Sequence, residues 1–457
     1  GIKDNTRLLM IRGYLLFLIF FQPKLQKCIR RDIFMKPEYF EDLINLCTGI
    51  SEQENKLLPL CAAENVVSPF SKIPLDTFLQ EKYLLGGILE YQEHSNFVGS
   101  KKLYEIYELL VRQCNKLYGC KYADARTLSG VNAVMTLLMS LFSAGDTILI
   151  SSEEYGGHGS MPKICRRLGI NIIEIPYNYE KYDFDYEETN KILQSQKING
   201  ILICLSDIIR MPQLKKFDLP KECILIFDAT QILGLIATKS MENPLEWFPE
   251  EQKFILMGAT HKTLPGPTCG LIMTNSLELA HRFDTLINPD YLRNSQLHHI
   301  FSLILSLMEL EIYGQQYCSA IINNANILAD TLTKYNFDVL KASPQYTYTH
   351  QLFISMPEND AKKFYNKCLD YGVSINFRNK RLYKTCGLRI GTQEISRYGW
   401  QDSEIQSIAK ILRDIRNYNQ FSQDISNRIN KLSANKKIRY TFGSDYYDII
   451  YTKLHHG

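Results

Sequence analysis

The sequence has little net charge and no Cys-x-x-Cys pair. Its 52 Lys and Arg residues nearly balance 49 Asp and Glu residues, for a net charge of +3 over 457 residues. This balance argues against a nucleic-acid-binding protein, because such proteins concentrate positive charge on one surface. The spacing of the 12 cysteines argues against a zinc knuckle or a disulfide framework. We therefore expect reduced, buried cysteines in a cytoplasmic protein with no metal site.

Long apolar runs are also missing. The run YLLFLIFF at residues 14–21 follows Lys3, Arg7 and Arg12, as a signal-peptide core would. It is much shorter than the roughly 20 residues that span a membrane, and no small-residue cleavage site follows it. We expect an arm, residues 8–21, that is buried or forms an interface. A membrane or targeting segment is the alternative, and stable membrane insertion is not expected.

The remaining composition is that of a folded protein, with 45% apolar and 22% charged residues. Between residues 60 and 275, short apolar runs alternate with amphipathic stretches such as 131–142. Alternating strands and helices predict a doubly wound, mainly parallel α/β sheet. The predicted strands are 147–150, 171–175, 200–205, 223–227, 254–257 and 270–273.

A single long helical pattern at 301–335 is suited to bridge a large and a small domain. We predict four parts: an N-terminal arm and helical segment at 1–58, a large α/β domain at 59–305, a bridging helix with a smaller α+β domain at 306–416, and a polar, Tyr-rich tail at 417–457.

Two motifs near predicted helices and strands are suited to a flat, phosphorylated ligand. Ser129-Gly130-Val131 opens a helix, where free amides and the positive dipole end favour a phosphate; an ordinary N-cap is the alternative. His158 follows two glycines that allow close approach of a ligand, so that its ring could face a flat partner. A structural histidine is the alternative there.

Two further motifs follow buried apolar strands. Asp228 ends the run ILIFD, where open α/β sheets bind ligands; it could pair with a pyridinium N–H or cap the next helix. Lys262 lies in a Gly- and Pro-rich turn, and a desolvated lysine can form a Schiff base. A phosphate site, a stacking ring, a buried carboxylate and such a lysine together indicate pyridoxal 5′-phosphate.

These motifs make the sequence resemble the serine hydroxymethyltransferase-like family of fold-type-I pyridoxal-phosphate enzymes over roughly residues 55–415. The segments that carry the resemblance are Ala63-Glu64-Asn65-Val66-Val67-Ser68-Pro69, Ser129-Gly130, Gly156-Gly157-His158, Asp228-Ala229-Thr230-Gln231, Thr260-His261-Lys262-Thr263-Leu264 and Gly387-Leu388-Arg389-Ile390-Gly391-Thr392.

The resemblance implies a role for each matching residue. Lys262 would be the Schiff-base lysine, Asp228 the partner of the ring nitrogen, His158 the stacking residue and Arg389 the clamp on the amino-acid carboxylate. Glu90 would transfer protons. Further cofactor contacts would come from Ser129, Gly130, Val131, Ser206, Gln231, Thr260 and His261, and substrate contacts from Ala63 and Glu64. The active sites would be shared within a homodimer.

The departures from the family pattern lie around the one-carbon chemistry. Ala63 replaces a serine, Gln231 a histidine, Val98 a tyrosine and Thr268 an arginine. We therefore predict aldol or retro-aldol Cα–Cβ chemistry through a glycine-type quinonoid, as in a hydroxymethyltransferase, threonine aldolase or transaldolase, in specialised biosynthesis and with weak folate dependence. The alternatives are an aminotransferase, decarboxylase or racemase on the same scaffold, and an inactive relative that serves as a binding protein.

Overall fold

The computed structural model describes residues 37–85, 87, 98–292, 294–418 and 420–455. The chain divides into two compact units at the peptide bond between Lys56 and Leu57. The described part of the first unit contains the helix Phe40–Lys56, whose side chains are all exposed. The predicted arm at 8–21 lies outside the described residues.

In chain order the strands of the second unit are β1 Leu58–Pro59, β2 Tyr122–Thr127, β3 Thr147–Ile150, β4 Asn171–Glu174, β5 Tyr177–Asn178, β6 Asp183–Phe184, β7 Gly200–Cys204, β8 Ile224–Asp228, β9 Phe254–Ala259, β10 Gly270–Thr274, β11 Asp338–Val339, β12 Gln351–Met356, β13 Val373–Ser374, β14 Asn376–Asn379 and β15 Cys386–Gly391. Seven of them form the main sheet, with the order β2-β10-β9-β8-β7-β3-β4. Strands β9, β8, β7, β3 and β4 are mutually parallel, whereas β10 runs antiparallel to both of its neighbours.

Helices cover both faces of this sheet. The α-helices of the second unit are Pro69–Lys72, Glu105–Tyr118, Gly130–Leu141, Met161–Arg167, Tyr186–Ser195, Leu233–Ala237, Leu277–Thr285, Leu297–Lys334, Glu358–Asp370, Gln393–Arg397, Asp402–Asn417, Gln423–Ser433 and Ser444–His455. Short 3₁₀ helices lie at Ile73–Asp76, Phe78–Glu81, Val98–Tyr104, Glu153–Tyr155, Leu214–Lys216, Pro244–Glu246 and Arg381–Tyr383, and a π-helix at Leu286–Tyr291.

Alternating side chains explain why the sheet is buried on both sides. In β7, Ile201 and Ile203 enter one hydrophobic cluster and Leu202 and Cys204 another. Helices Glu105–Tyr118 and Leu297–Lys334 pack on the first face, and helices Gly130–Leu141, Met161–Arg167 and Leu277–Thr285 on the second. Strands covered on both faces read as continuous apolar runs. The predicted doubly wound α/β fold is confirmed.

The carboxyl ends of the parallel strands meet at one edge of the sheet. Cys204 pairs with Asp228, and Asp228 pairs with Met257, so that β7, β8 and β9 end almost level. The chain segments that follow these strands therefore start close together. This edge is where the sequence analysis places its candidate residues.

A second sheet, with the order β11-β12-β15-β14, is fully antiparallel. The long helix joins the two regions: residues as far as Ile321 pack in the large-sheet core, and Ala325, Leu328 and Leu332 pack in the core of the small sheet. The helix begins at Leu297, four residues before the predicted start, and the predicted boundary at 305/306 falls inside it. The finer domain division stays a prediction.

The last described segment, residues 436–455, forms a C-terminal strap. Its residues Phe442, Tyr447, Ile450 and Leu454 pack against a small cluster of buried side chains, namely Phe70, Ile73 and Leu305. The strap is also anchored by Arg397, which donates to the Tyr440 carbonyl. A tail that looked only polar and Tyr-rich in the sequence is thus a packed element.

Strand β2 was not predicted, because Asp124 and Arg126 interrupt its apolar pattern. Both side chains are buried, and Arg126 forms ion pairs with Asp124 and Asp284. Buried charges are tolerated when they are paired in this way. Among the described residues, no helix combines the length and apolarity needed to cross a bilayer.

Candidate active site

Lys262 lies in a tight loop between β9 and β10. The loop is closed by Gly266, whose amide donates to the Thr260 carbonyl over 2.8 Å. The Lys262 carbonyl accepts from the Asn65 side chain. Burial, together with the nearby positive charge of Arg389, lowers the pKa of Lys262 to about 8, although Asp228 opposes the shift. A lysine in this state supplies a neutral amine near physiological pH.

Asp228 ends β8 and is buried, with 9% of its surface exposed. Its Oδ1 accepts from the Thr230 amide over 2.9 Å, and its Oδ2 from the thiol of Cys204 over 2.9 Å. Burial raises the pKa of Cys204 well above its ordinary value, so that the thiol stays a neutral donor. Among the described residues, no cation forms an ion pair with Asp228. The site can therefore accept a positively charged donor.

The helix Gly130–Leu141 begins beside these strand ends. A Cβ atom on Gly130 would lie 3.0 Å from the Ala259 Cβ and 3.4 Å from the Thr230 Oγ1. The Ser129 hydroxyl accepts from the Asn132 amide over 3.2 Å, so it is an N-cap. No described residue accepts from the amides of Gly130 and Val131, and such first-turn amides can bind a phosphate.

His158 follows the Gly156-Gly157 turn. Its amide donates to the Cys204 carbonyl over 2.9 Å, and its Nδ1 accepts from the Ser160 amide over 3.2 Å. These contacts fix the ring at the ends of β3 and β7. Burial lowers the pKa of His158, and Lys262 adds to the effect while Asp228 opposes it. A neutral ring is suited to stacking.

Arg389 lies on β15 and is 3% exposed. Its Nε and Nη2 donate to the Asn376 Oδ1 over 3.2 and 2.8 Å, and its Nη1 donates to the Ser206 carbonyl over 2.5 Å. The contact with Asp207 is longer, 3.4 Å. These contacts use four of the five guanidinium N–H groups, so that one Nη2 hydrogen is left for a ligand carboxylate.

Asp207 was missed by the sequence analysis. It is 2% exposed and forms ion pairs with Arg378 and Lys380, each over 3.0 Å. Burial alone would raise the pKa of Asp207, but Arg389, Lys380 and Arg378 hold it below its ordinary value. The only sequence signal was an acidic residue just after a buried strand, and its partners lie far along the chain.

Gln231 is held by a second residue that was missed, Gln351. The Gln351 Nε2 donates to the Gln231 Oε1 over 2.9 Å and to the Ser206 carbonyl over 3.1 Å. With its oxygen occupied, the Gln231 amide presents an N–H donor and no titratable group. Ser206 itself is tied to the turn by its amide, which donates to the Gly156 carbonyl over 2.7 Å.

The segment around Ala63 and Glu64 approaches the site through its backbone. The Glu64 side chain is exposed, while its carbonyl accepts from the Gln393 amide group. The neighbouring Ala62 carbonyl contacts the His350 Nε2 at 3.1 Å. The segment is therefore fixed beside β15, and the half-buried Ala63 offers no polar side chain to a substrate.

The remaining predicted residues are Thr260, His261 and Glu90. The Thr260 hydroxyl donates to the Pro267 carbonyl and is fully buried, so it braces the loop. His261 has a buried Nδ1 without a described partner, and burial lowers its pKa to about 4. Glu90 lies outside the described residues.

The residues present fit pyridoxal phosphate. In the described part of the chain, a buried carboxylate without a cationic partner could receive the protonated ring nitrogen, and two first-turn amides without an acceptor could hold the phosphate. A buried lysine with a lowered pKa could take the aldehyde. These groups lie at a strand end, a helix start and a loop that meet at one edge of the sheet. The residues that would hold the cofactor are thus Lys262, Asp228, His158, Gly130 and Val131.

The comparison with known proteins points the same way. A family model described as serine hydroxymethyltransferase matches residues 38–412. Serine hydroxymethyltransferase from Archaeoglobus fulgidus is 27% identical over 414 residues, which cover 88% of this chain and 92% of the relative. The Thermoplasma volcanium enzyme of the same name is 28% identical over 431 residues, covering 90% of this chain and 99% of the relative.

A solved structure shares the fold. The crystal structure of L-threonine transaldolase from Pseudomonas fluorescens superposes with a TM-score of 0.83 at 20% identity, covering 95% of this chain and all of that one. Since the family model spans most of the residues described above, the chain belongs to the serine hydroxymethyltransferase family.

Proposed function

We propose that this pyridoxal-phosphate-dependent enzyme breaks and forms the Cα–Cβ bond of an α-amino acid, and that it passes the glycine carbon to an aldehyde without folate. The observation that carries the proposal is the convergence of Lys262, Asp228 and Arg389. An amine with a lowered pKa, a buried carboxylate and a buried guanidinium with one spare N–H lie close enough for their charges to interact.

The cofactor supplies an electron sink for charge that develops on Cα. Asp228 would stabilise a positive charge on the ring nitrogen, and the Cys204 thiol and the Thr230 amide fix the carboxylate in place. Lys262 would be the covalent attachment point. When its amine is free, it would be a base close to the reacting carbon, because its pKa of about 8 lies far below the ordinary lysine value.

Arg389 would bind the α-carboxylate of the substrate and set its orientation. Asn376, the Ser206 carbonyl and Asp207 hold the guanidinium from behind, so little rotamer freedom remains to be lost on binding. Fixing the carboxylate determines which bond at Cα is aligned for cleavage.

The amide of Gln231 supports a reaction without folate. The family pattern has a histidine there, and an imidazole could move protons during one-carbon transfer. Gln231 is neutral at every ordinary pH, and Gln351 fixes its orientation. It can bind a substrate oxygen but cannot act as an acid or a base. Glu90 remains the proposed proton-transfer residue for the aldol step.

The test compares two donors with and without their acceptors. Purified holoenzyme is given L-serine with and without tetrahydrofolate, and L-threonine with and without an added aldehyde, and products are identified by mass spectrometry. We expect cleavage of L-threonine, incorporation of the added aldehyde, and no effect of tetrahydrofolate on L-serine. Strong stimulation by tetrahydrofolate would contradict the folate-free proposal, and transfer of the amino group to a keto acid would place the enzyme in another reaction class.

We also infer a homodimer with shared active sites. In the family that the chain resembles, the phosphate is reached by a segment of the neighbouring subunit, which aligns near residues 289–299 here. Light scattering on the purified holoenzyme tests this assembly. We expect the mass of two chains, and a monomer that retains bound cofactor would contradict it.

A further inference from the structure

Three polar side chains alternate along β14 and the residue that follows it. Asn376, Arg378 and Lys380 are two residues apart, and side chains with that spacing share one face of an extended chain. Asn376 binds Arg389, while Arg378 and Lys380 bind Asp207. The edge strand β14 and the residue after it thus place Arg378 and Lys380 next to Arg389, the proposed carboxylate clamp.

These cations outnumber the acids that they contact. Arg378 and Arg389 contact the Oδ1 of Asp207 at 3.0 and 3.4 Å, and Lys380 contacts its Oδ2 at 3.0 Å. Tyr383 also donates its hydroxyl to this carboxylate. Asp207 neutralises one of the three positive charges, and the α-carboxylate of a substrate bound to Arg389 would neutralise a second. Among the described residues in these contacts, one positive charge then remains without a partner.

The remaining hydrogen-bond donors belong to the same two side chains. The Arg378 Nε donates to Asp207, and no described residue accepts from the Arg378 Nη1 or Nη2. Lys380 also donates to the Gly157 carbonyl over 3.3 Å, which leaves one of its three hydrogens. The side chains are 22% and 11% exposed. They are therefore partly desolvated but still open to a small ligand.

We propose that Arg378 and Lys380 form a second anion subsite, which selects a reactant with a carboxylate or similar oxyanion in addition to the α-carboxylate held by Arg389. This inference rests on the proposed function and specifies its substrate class. Because all three cations contact one aspartate, the two anionic groups of the ligand would be separated by a short carbon chain. The second anion could belong to the amino-acid donor or to the aldehyde acceptor.

Binding without turnover gives the first test. Glutarate and its monoamide match in size and differ in one charge, so each is titrated calorimetrically into the holoenzyme. We expect glutarate to bind about 10–100-fold more tightly, the ratio that one charge-assisted interaction supplies. Arg378→Gln and Lys380→Gln should each remove most of this preference while leaving monoamide binding unchanged.

Arg381→Gln is the matched control. Arg381 is adjacent in sequence, but its guanidinium lies over the Tyr179 ring at 4.3 Å and its amide donates to Glu154. This variant should keep the preference for glutarate. Thermal unfolding of all three variants identifies any that fail to fold, and the two test substitutions provide independent evidence.

Kinetic measurements then show whether the second anion belongs to the amino-acid donor or to the aldehyde acceptor. The donor arm compares L-threonine with 3-hydroxy-L-aspartate, and the acceptor arm compares propanal with 4-oxobutanoate, using L-threonine as donor. A lower KM for the charged member in either arm, lost in Arg378→Gln, supports the subsite and names its ligand. Equal binding of glutarate and its monoamide, or a preference that survives both substitutions, overturns it. Absence of any Cα–Cβ cleavage with the glutarate preference intact would instead contradict the proposed function.

Discussion

Lys262 owes its chemical character to neighbours from distant parts of the chain. Its neighbours include Asn65, which lies in an irregular segment, Asp228 at the end of β8 and Arg389 on β15. A lysine in water is almost fully protonated at neutral pH. Burial next to another cation is what makes this amine available.

The first prediction concerns covalent capture of the cofactor. Lys262→Ala should bind pyridoxal phosphate without the visible absorbance of the lysine-bound form, since the nearby Lys380 amine is held by Asp207 and the Gly157 carbonyl. Borohydride reduction followed by peptide mass spectrometry locates the attachment in the unsubstituted protein. Lys253→Ala is the control, because Lys253 only pairs with Glu222 and Glu278. Label found on another lysine would refute the assignment.

The second prediction concerns pH. The free amine is the reactive form, and the pKa of Lys262 is about 8 instead of 10.5. The rate of cofactor capture by the apoprotein should therefore rise about tenfold per pH unit below pH 8 and level off above it. Stopped-flow absorbance measures the rate, with N-acetyl-lysine methylamide as the solution reference. A rate that keeps rising up to pH 10 would contradict the lowered pKa.

Site residues that stand in a recognisable local motif could be identified from the sequence. Site residues whose role depends on contacts with distant parts of the chain could not. Lys262 and Asp228 stand directly after apolar strands, so their positions are visible in the order of residues. Asp207, Asn376 and Cys204 gain their roles from contacts with residues far away in the chain. Nothing in a single sequence gives those pairings.

At the scale of elements, the turn between β3 and the next helix shapes the site. Gly156 has a φ of 109°, and a Cβ atom there would lie 2.6 Å from the Asp207 carbonyl oxygen. The turn and the residue that braces Arg389 are therefore in direct contact. A side chain at Gly156 would push on Asp207 and, through it, on the carboxylate clamp.

The third prediction uses this turn. Gly156→Ala should destabilise the protein by about 1–3 kcal/mol more than Gly145→Ala. Gly145 has a similar φ of 92° but nothing within 4 Å of its added Cβ, so it isolates the backbone strain that the two substitutions share. Urea denaturation measures both. Equal losses would show that the contact with Asp207 relaxes without cost.

The prediction of elements succeeded where side chains were uniformly apolar. All six predicted strands are present, with ends shifted by at most two residues. The two-residue strands β5 and β6 are too short to give a pattern, and the charges of β2 conceal its burial. Since buried ion pairs look like surface residues in a sequence, such strands become visible only in three dimensions.

At the scale of the whole molecule, the C-terminal strap covers apolar residues near the start of the second unit. His455 at its end contacts the Asp76 carbonyl at 2.8 Å, and the Phe442 ring lies 4.8 Å from the Phe70 ring. Residues from the two ends of this unit therefore share one small core. Composition alone indicated only a polar, Tyr-rich tail, because its apolar residues are separated by Lys, Asp and Tyr.

The fourth prediction tests this core with neighbouring residues of one type. Ile450 packs in the cluster, whereas Ile449 is 59% exposed. Ile450→Ala should lower the free energy of unfolding by about 1–3 kcal/mol, and Ile449→Ala by less than about 0.5 kcal/mol. Both substitutions lie in the same helix, so differences in helix propensity cancel. Thermal unfolding measures both values. Equal losses of unfolding free energy in the two variants would show that the packing of Ile450 contributes nothing.

The short parallel pairing of β1 with β13 has a consequence for synthesis. Leu58 pairs with Val373, so β1 leaves the ribosome long before its neighbour and can pair only when most of the chain has been translated. The large sheet, made entirely between these two strands, can form earlier. A nascent chain halted before Val373 would carry β1 as an unpaired edge, open to chaperones and proteases.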